Sequence, residues 1–237
     1  KVFGDNRNPL LVSVRSGAAI SMPGMMFSFL NVGMNEPICE GLIQQTSRPW
    51  FVWDCYRRFL QGWGMSFGME RDQFDEIMNN FKDKFKVLRK IQFTPEQMRD
   101  LALSYRASVR DHGIEIIDDP FAQLEIAIEQ VFRSWDSKKA QAYREIMDIS
   151  ENWGTAVIVQ SMAYGNLDTN SGTGVLFTRN PQDAGDRVML WGDFAIGAQG
   201  EDIVSGLVRT LAISSEQKPY EDRATEISFE DTFPELY

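Results

Sequence analysis

A mixed α+β fold with an inserted helical block is predicted by three features of this 237-residue sequence. Near the start, Leu10-Leu11-Val12-Ser13-Val14 is a short apolar, β-branched run of the kind that forms a buried strand. From residue 35 to about 117 apolar residues recur at helical spacing, and from Trp153 onwards β-branched runs return. Strands, helices and strands again, without repeats or low-complexity segments, describe a mixed fold interrupted by helices. The expected division is a discontinuous first subdomain (1–35 and 118–163), a helical insertion (36–117) and a second subdomain (164–237).

The elements follow in order. Residues 1–9, with Asp5-Asn6-Arg7-Asn8-Pro9, read as a turn-rich lead into the first strand. Arg15 stands where that strand ends, followed by the small and flexible Ser16, Gly17, Ala18, Ala19, Ser21, Pro23 and Gly24. The apolar stretch Met26 to Met34 is expected to pack beneath this loop. After Pro49, apolar residues at 52, 56, 59, 60 and 63 predict a helix that glycines at 62, 64 and 68 loosen or end. A second helix is predicted over Asp72 to Phe85, with Phe74, Ile77, Met78, Phe81 and Phe85 as a core stripe. Thr94-Pro95-Glu96-Gln97 is a helix start, with Thr94 as cap, Pro95 in the first turn and Gln97 closing a capping box. That helix ends at Arg110-Asp111-His112-Gly113, where the glycine stops it and His112 suits the carboxyl end.

Asp119-Pro120 starts the next helix, with Phe121, Leu124, Ile128, Val131 and Trp135 on one face. Phe132-Arg133-Ser134-Trp135-Asp136 ends it, and Ala140 to Ile149 is a further helix. Gly154 to Met162 and Gly172 to Arg179 are strands, and the polar turn Asn166 to Asn170 between them allows a hairpin. Arg187 to Trp191 is a third short strand, and Glu201 to Thr210 returns to helix.

Composition narrows the function. A net charge of −10 and a pI near 4.7 exclude broad nucleic-acid or anionic-membrane binding, which needs a basic face. They leave room for a nucleotide, since a few local arginines suffice for one triphosphate. No apolar run approaches the roughly 20 residues that span a bilayer, and no signal-peptide pattern opens the chain. Lys1-Val2-Phe3-Gly4 reads as the start of an excised piece of a longer protein. Cys39 and Cys55 have neither metal spacing nor a disulfide framework, and read as reduced core thiols of a cytoplasmic protein. With His112 as the single histidine, a His-based triad or metal site would have to use a residue better explained as a helix cap.

Three stretches carry chemistry. A guanidinium at a strand end, Arg15, can hold a phosphate through two parallel charge-assisted bonds, and the glycines after it let backbone N–H groups approach the anion. On spacing alone, a surface salt bridge beside an ordinary loop explains the stretch equally well. Ser171-Gly172-Thr173-Gly174 can lay amides and a hydroxyl against phosphate oxygens, although hairpin turns look the same. It is not a Walker A loop, a motif this sequence lacks. Arg179 suits a phosphate or a strand-end salt bridge. In Ala198-Gln199-Gly200-Glu201-Asp202 the two carboxylates can hold a ribose or an adenine amine, or approach Mg²⁺. They also suit the first turn of a helix.

Val12-Ser13-Val14-Arg15-Ser16-Gly17 followed by Ser21-Met22-Pro23-Gly24-Met25-Met26 resembles the signature of the pyruvate, phosphate dikinase family in its nucleotide-binding domain. The strings SGTGVLFTRNP, FRSWD and QGED resemble it too, and the likeness runs from about residue 3 to about residue 210. The resemblance implies an ATP-grasp-like fold using ATP and Mg²⁺. By it Arg15 contacts the ATP phosphates, Thr173 with Gly172 and Gly174 lies near them, Gln160 lines the cleft, and Glu201 and Asp202 hold the nucleotide. It further implies a phosphohistidine domain in the same parent chain as phosphoryl acceptor, and a homodimeric parent.

Departures are visible. Ala19-Ile20 replaces a second arginine, and Gly192-Asp193-Phe194 and Gly197 replace a Gly-Glu-Tyr stretch and an asparagine. Residues 211–237 do not match the family's Mg²⁺-ligand strands, so the metal ligands are unassigned, and its glycine-lysine loop is absent. A non-catalytic nucleotide-sensing or scaffold domain, or the nucleotide domain of another dikinase, are the alternatives.

Overall fold

The computed structural model describes every residue except 184, 186, 205, 207 and 222. The chain forms two units, Lys1–Met162 and Ala163–Tyr237. In the first, β1 (Val2–Phe3) pairs in parallel with β2 (Pro9–Leu10), and Leu11 separates β2 from β3 (Val12–Ser16). β3 is the central strand of an antiparallel sheet, between β4 (Ser28–Val32) and β5 (Val157–Ser161). The stretch expected only to pack beneath the loop is therefore largely strand. Its alternation is broken by Asn31, buried at φ +60°, whose side-chain amide donates to the Cys55 carbonyl at 3.3 Å.

Helices cover the middle of this unit. α1 (Glu36–Thr46) starts where the Asn35 side chain accepts from the Ile38 N–H at 2.8 Å. α2 (Pro49–Ser66) is the core helix, with Val52, Tyr56, Leu60 and Trp63 fully buried. Trp63 packs on Phe29 of β4 and donates its indole N–H to the Glu115 carbonyl at 3.0 Å. Of the three glycines expected to loosen or end α2, Gly62 and Gly64 lie inside it and Gly68, at φ +100°, lies just past its end. A Cβ at Gly64 would stand 2.7 Å from the Phe74 ring, so this glycine admits close packing by α3 (Arg71–Phe85). Of the aromatic stripe predicted for α3, only Phe74 is buried. A 3-10 turn at Lys90–Gln92 leads to α4 (Pro95–Asp111), whose predicted capping box is present. Gly113 at φ +74° ends α4, and the His112 Nδ1 lies 2.8 Å from the Ser108 carbonyl.

α5 (Pro120–Ser134) buries Val131, and Trp135 at its end, as apolar spacing predicts, but it also turns polar residues inward. Phe121 is exposed, while Gln123, Ala127, Gln130, Val131 and Ser134 are buried. Gln123 can be buried because three backbone groups satisfy its amide. It accepts from the Gly33 N–H at 2.9 Å and donates to the Met34 and Ile117 carbonyls at 2.8 and 2.7 Å. α6 (Lys138–Ile146) stops short of the predicted Ile149.

A buried charge cluster ties the 3-10 turn to α2. Asp54, 1% exposed, accepts from Arg57 Nε at 2.9 Å, Arg58 Nε at 3.0 Å and Lys90 Nζ at 2.9 Å. Burial alone would raise the Asp54 carboxyl, but Lys90, Arg57 and Arg58 hold it well below the usual carboxylate range. Burial pushes the Lys90 amine down to about 8 against the pull of Asp54, with Arg57 and Arg58 adding to the depression.

In the second unit β6 (Gly172–Phe177), β7 (Trp191–Ile196) and β8 (Leu211–Ala212) form an antiparallel sheet in that order. The expected hairpin between the 154–162 and 172–179 runs is not formed. β5 pairs with β3 and β6 with β7, and the partner of β5 lies so far away in sequence that no local turn signals it. The third strand begins at Trp191, where the predicted one ended. α7 (Gly200–Val204) covers only the start of the helix expected from Glu201 to Thr210. Positions 205 and 207 of that span lie outside the described residues. A 3-10 turn at Lys218–Glu221 and α8 (Phe229–Thr232) complete the unit, with Phe194 packed edge-on against Phe229 at 5.5 Å.

Candidate functional site

In the first unit the site is built on β3, β5 and the loop between β3 and β4. Pairing sets Arg15 opposite Ile158 and Ser13 opposite Gln160. Directly opposed residues of an antiparallel pair share a face, as do residues two apart on one strand. Arg15 and Gln160 therefore lie on the same face, and both are exposed. Neither the salt bridge proposed as the alternative for Arg15 nor any other ion pair from it is seen among the described residues.

The 17–26 loop is fastened at several points. The Gly17 N–H donates to the Ala156 carbonyl at 2.7 Å. Met22-Pro23-Gly24-Met25 closes a turn through Met25 N–H to Met22 C=O at 3.1 Å, with Gly24 at φ +71°. Proline followed by a residue at positive φ is what a type II turn requires, so glycine is needed here. Lys139 Nζ donates to the Gly24 carbonyl at 2.9 Å, and the Phe27 N–H donates to Ser134 Oγ at 3.2 Å. Met22 is buried with Trp135, Ala140 and Ile149, while Ala19, Ile20 and Ser21 form the exposed tip.

The second unit holds the remaining predicted residues. Gly172, Thr173 and Gly174 open β6, opposite Ile196, Ala195 and Phe194. A Cβ at Gly174 would stand 2.9 Å from the Asp193 carbonyl, so close strand pairing by itself accounts for that glycine. The Gly197 N–H donates to the Ser171 carbonyl at 2.8 Å, which sets the turn before α7 beside the start of β6. Glu201 is exposed, whereas Asp202 is buried and its carboxylate accepts from the Gln199 N–H at 3.0 Å. Gln199 in turn donates to Asn166 Oδ1 at 3.1 Å. Arg179 is exposed, just beyond β6.

Among the described residues no group of three or more His, Cys, Asp or Glu side chains is arranged to hold a metal ion. These residues do not by themselves form an all-protein metal cage, which Mg²⁺ bound with substrate phosphates does not require. Among them, too, no helix is long and apolar enough to cross a membrane.

The family described as pyruvate phosphate dikinase, AMP/ATP-binding domain, matches residues 1–228. The chain belongs to this family. The match runs past the limit near residue 210 drawn from the motifs. Among curated relatives, a pyruvate, phosphate dikinase of Giardia intestinalis is 44% identical over 209 residues, covering 87% of this chain and 24% of the relative. One of Clostridium symbiosum is 44% identical over 213 residues, covering 89% of this chain and 24% of the relative. The chloroplastic pyruvate, phosphate dikinase of Flaveria trinervia is 45% identical over 207 residues, covering 86% and 21%. The chain thus spans about a quarter of the length of these relatives.

Within this dikinase nucleotide-binding family, sequence reasoning located the loop but missed what holds it. Lys139 and Trp135 have no catalytic spacing, and the one available signal was the FRSWD string. Its tryptophan was assigned to the general core stripe of α5 rather than to the loop.

Proposed function

We propose that this chain is an ATP-grasp-like module that binds Mg-ATP in a pyruvate, phosphate dikinase. It passes the β-phosphoryl group to a histidine on a separate domain, with AMP released and the γ-phosphoryl group going to an inorganic acceptor, water or phosphate, and serves the interconversion of pyruvate and phosphoenolpyruvate. Catalysis of this kind is mostly positioning and charge neutralisation. Arg15 neutralises phosphate charge and Gln160 lines the nucleotide cleft. For the second unit taken by itself, the resemblance is the support for Gly172, Thr173 and Gly174 as phosphate contacts and for Glu201 and Asp202 as nucleotide contacts. Mg²⁺, when bound, would neutralise phosphate charge alongside Arg15. The observation that carries this reading is the exposed Arg15 and Gln160 on one sheet face beside a tethered loop of small residues. Calorimetric titration with Mg-ATP, beside Arg15→Ala, tests it: saturable binding that weakens in the variant supports it, and equal binding by both removes Arg15 from the site.

A second reading, a nucleotide-sensing domain without phosphoryl transfer, is favoured by one feature. Ile20 stands exposed at the loop tip, where the resemblance leads one to expect an arginine nearby. AMP formation from ATP in the presence of a phosphohistidine acceptor domain separates the two readings.

A further inference from the structure

We infer that Trp135, clamped by Arg144, is the seat that fixes the 17–26 loop, with Lys139 as a second fastening, and that both are positioning residues for what the loop binds. This rests on the nucleotide reading above. Met22 inserts into a small apolar cluster with Trp135, Ala140 and Ile149, and Ala18, Met25 and Met26 pack against the same cluster. Three further residues of the loop therefore share one anchorage with Met22, set apart from the large helical core.

The seat is itself braced by a charged group. Arg144 is fully buried, with its guanidinium carbon 4.3 Å from the centroid of the Trp135 ring. It donates from Nη1 to the Trp135 carbonyl at 2.5 Å, and from Nε and Nη2 to the two carboxylate oxygens of Glu151 at 3.1 and 2.6 Å. Glu151 is held below the usual carboxylate range by that hydrogen bond. Backbone and ring of Trp135 and the Glu151 carboxylate are thus locked together by one side chain. The residue before Trp135, Ser134, accepts the Phe27 N–H where the loop re-enters β4. Two residues of the FRSWD string, together with Lys139 just after it, hold the middle and the end of the loop. Arg15, at the loop's start, needs a fixed backbone beside it if several donors are to meet one phosphate group.

The test uses this 237-residue chain with Lys139→Met, Lys139→Arg, Trp135→Ala and Trp135→Phe. Hydrogen exchange of residues 18–26 reads loop order, and Mg-ATP calorimetry reads binding. Expected are exchange faster by on the order of tenfold in Lys139→Met and Trp135→Ala, and Mg-ATP affinity reduced by a similar factor. Lys139→Arg and Trp135→Phe should restore both. Lys139 is a surface group, so its variants carry the test even where Trp135→Ala fails to fold. Unchanged loop exchange in Lys139→Met overturns the fastening. Faster exchange with unaltered Mg-ATP affinity overturns the link from loop order to binding. If the unaltered chain binds no Mg-ATP while loop exchange still responds and Lys139→Arg restores it, the nucleotide reading falls and the seat stands.

Discussion

Arg15 and Gln160 occupy diagonal positions on one face of the β4–β3–β5 sheet, one strand apart and two residues out of register. They are 145 positions apart in sequence, and only the antiparallel pairing of β3 with β5 brings them together. The opposite face of β3 presents the fully buried Val14 to the core. A one-residue slip would turn Arg15 inward, so burial of Val14 fixes the exposure of Arg15.

Arg15→Ala should weaken Mg-ATP binding by about 10- to 100-fold, the scale of a lost charge-assisted hydrogen bond. Because Arg15 is exposed and away from the core, the unfolding midpoint should not move. Arg15→Lys should recover only part of the affinity, since an ammonium lacks the planar fork of a guanidinium. Calorimetry and thermal unfolding of the three proteins check this.

Asp54→Asn should destabilise the first unit by about 3–5 kcal/mol, because it removes the buried carboxylate that Arg57, Arg58 and Lys90 share. Chemical denaturation of the variant measures it. A change below about 1 kcal/mol would mean that the cluster rearranges freely.

The Lys90 amine sits at about 8 in the folded chain against 10.5 as its ordinary value. Between these the unfolded chain binds more protons than the folded one, so the contribution of Lys90 to stability rises as pH rises from about 8 to 10.5. Asp54 acts at the other end: its lowered pKa gives stability that is present above the ordinary carboxylate value and lost as pH falls below it. Lys90→Met should flatten the alkaline slope, which denaturation curves across that window would reveal.

Gln123→Leu should cost about 3 kcal/mol, although leucine fits a helix interior well. It strands the Gly33 N–H and the Met34 and Ile117 carbonyls at a buried site. A shifted denaturant midpoint with unchanged slope is the expected result.

How far each feature was legible depended on the range of the interaction that makes it. Thr94 and Gln97, three residues apart, wrote their capping box into the sequence. The same holds for Gly113 after α4, whose role needs only its own backbone angle. The α5 face was legible at Val131 and Trp135 but not at Gln123, which is buried by three hydrogen bonds to backbone outside its helix, a satisfaction that apolar spacing does not register. The β4 strand was missed because Asn31 interrupts its pattern with a positive φ.

By itself the sequence determined the chemistry: an arginine at a strand end, a loop of small residues, a glycine-rich turn, and motifs specific enough to name the family. Those depend on residue identity and on neighbours a few positions away. Tertiary structure alone decided that Gln160 shares a face with Arg15, that β5 joins β3 rather than β6, and that Trp135 and Lys139 hold the loop. Each of these is a contact between residues far apart in the chain. Its energy comes from burial and hydrogen bonds that do not exist until the chain has folded.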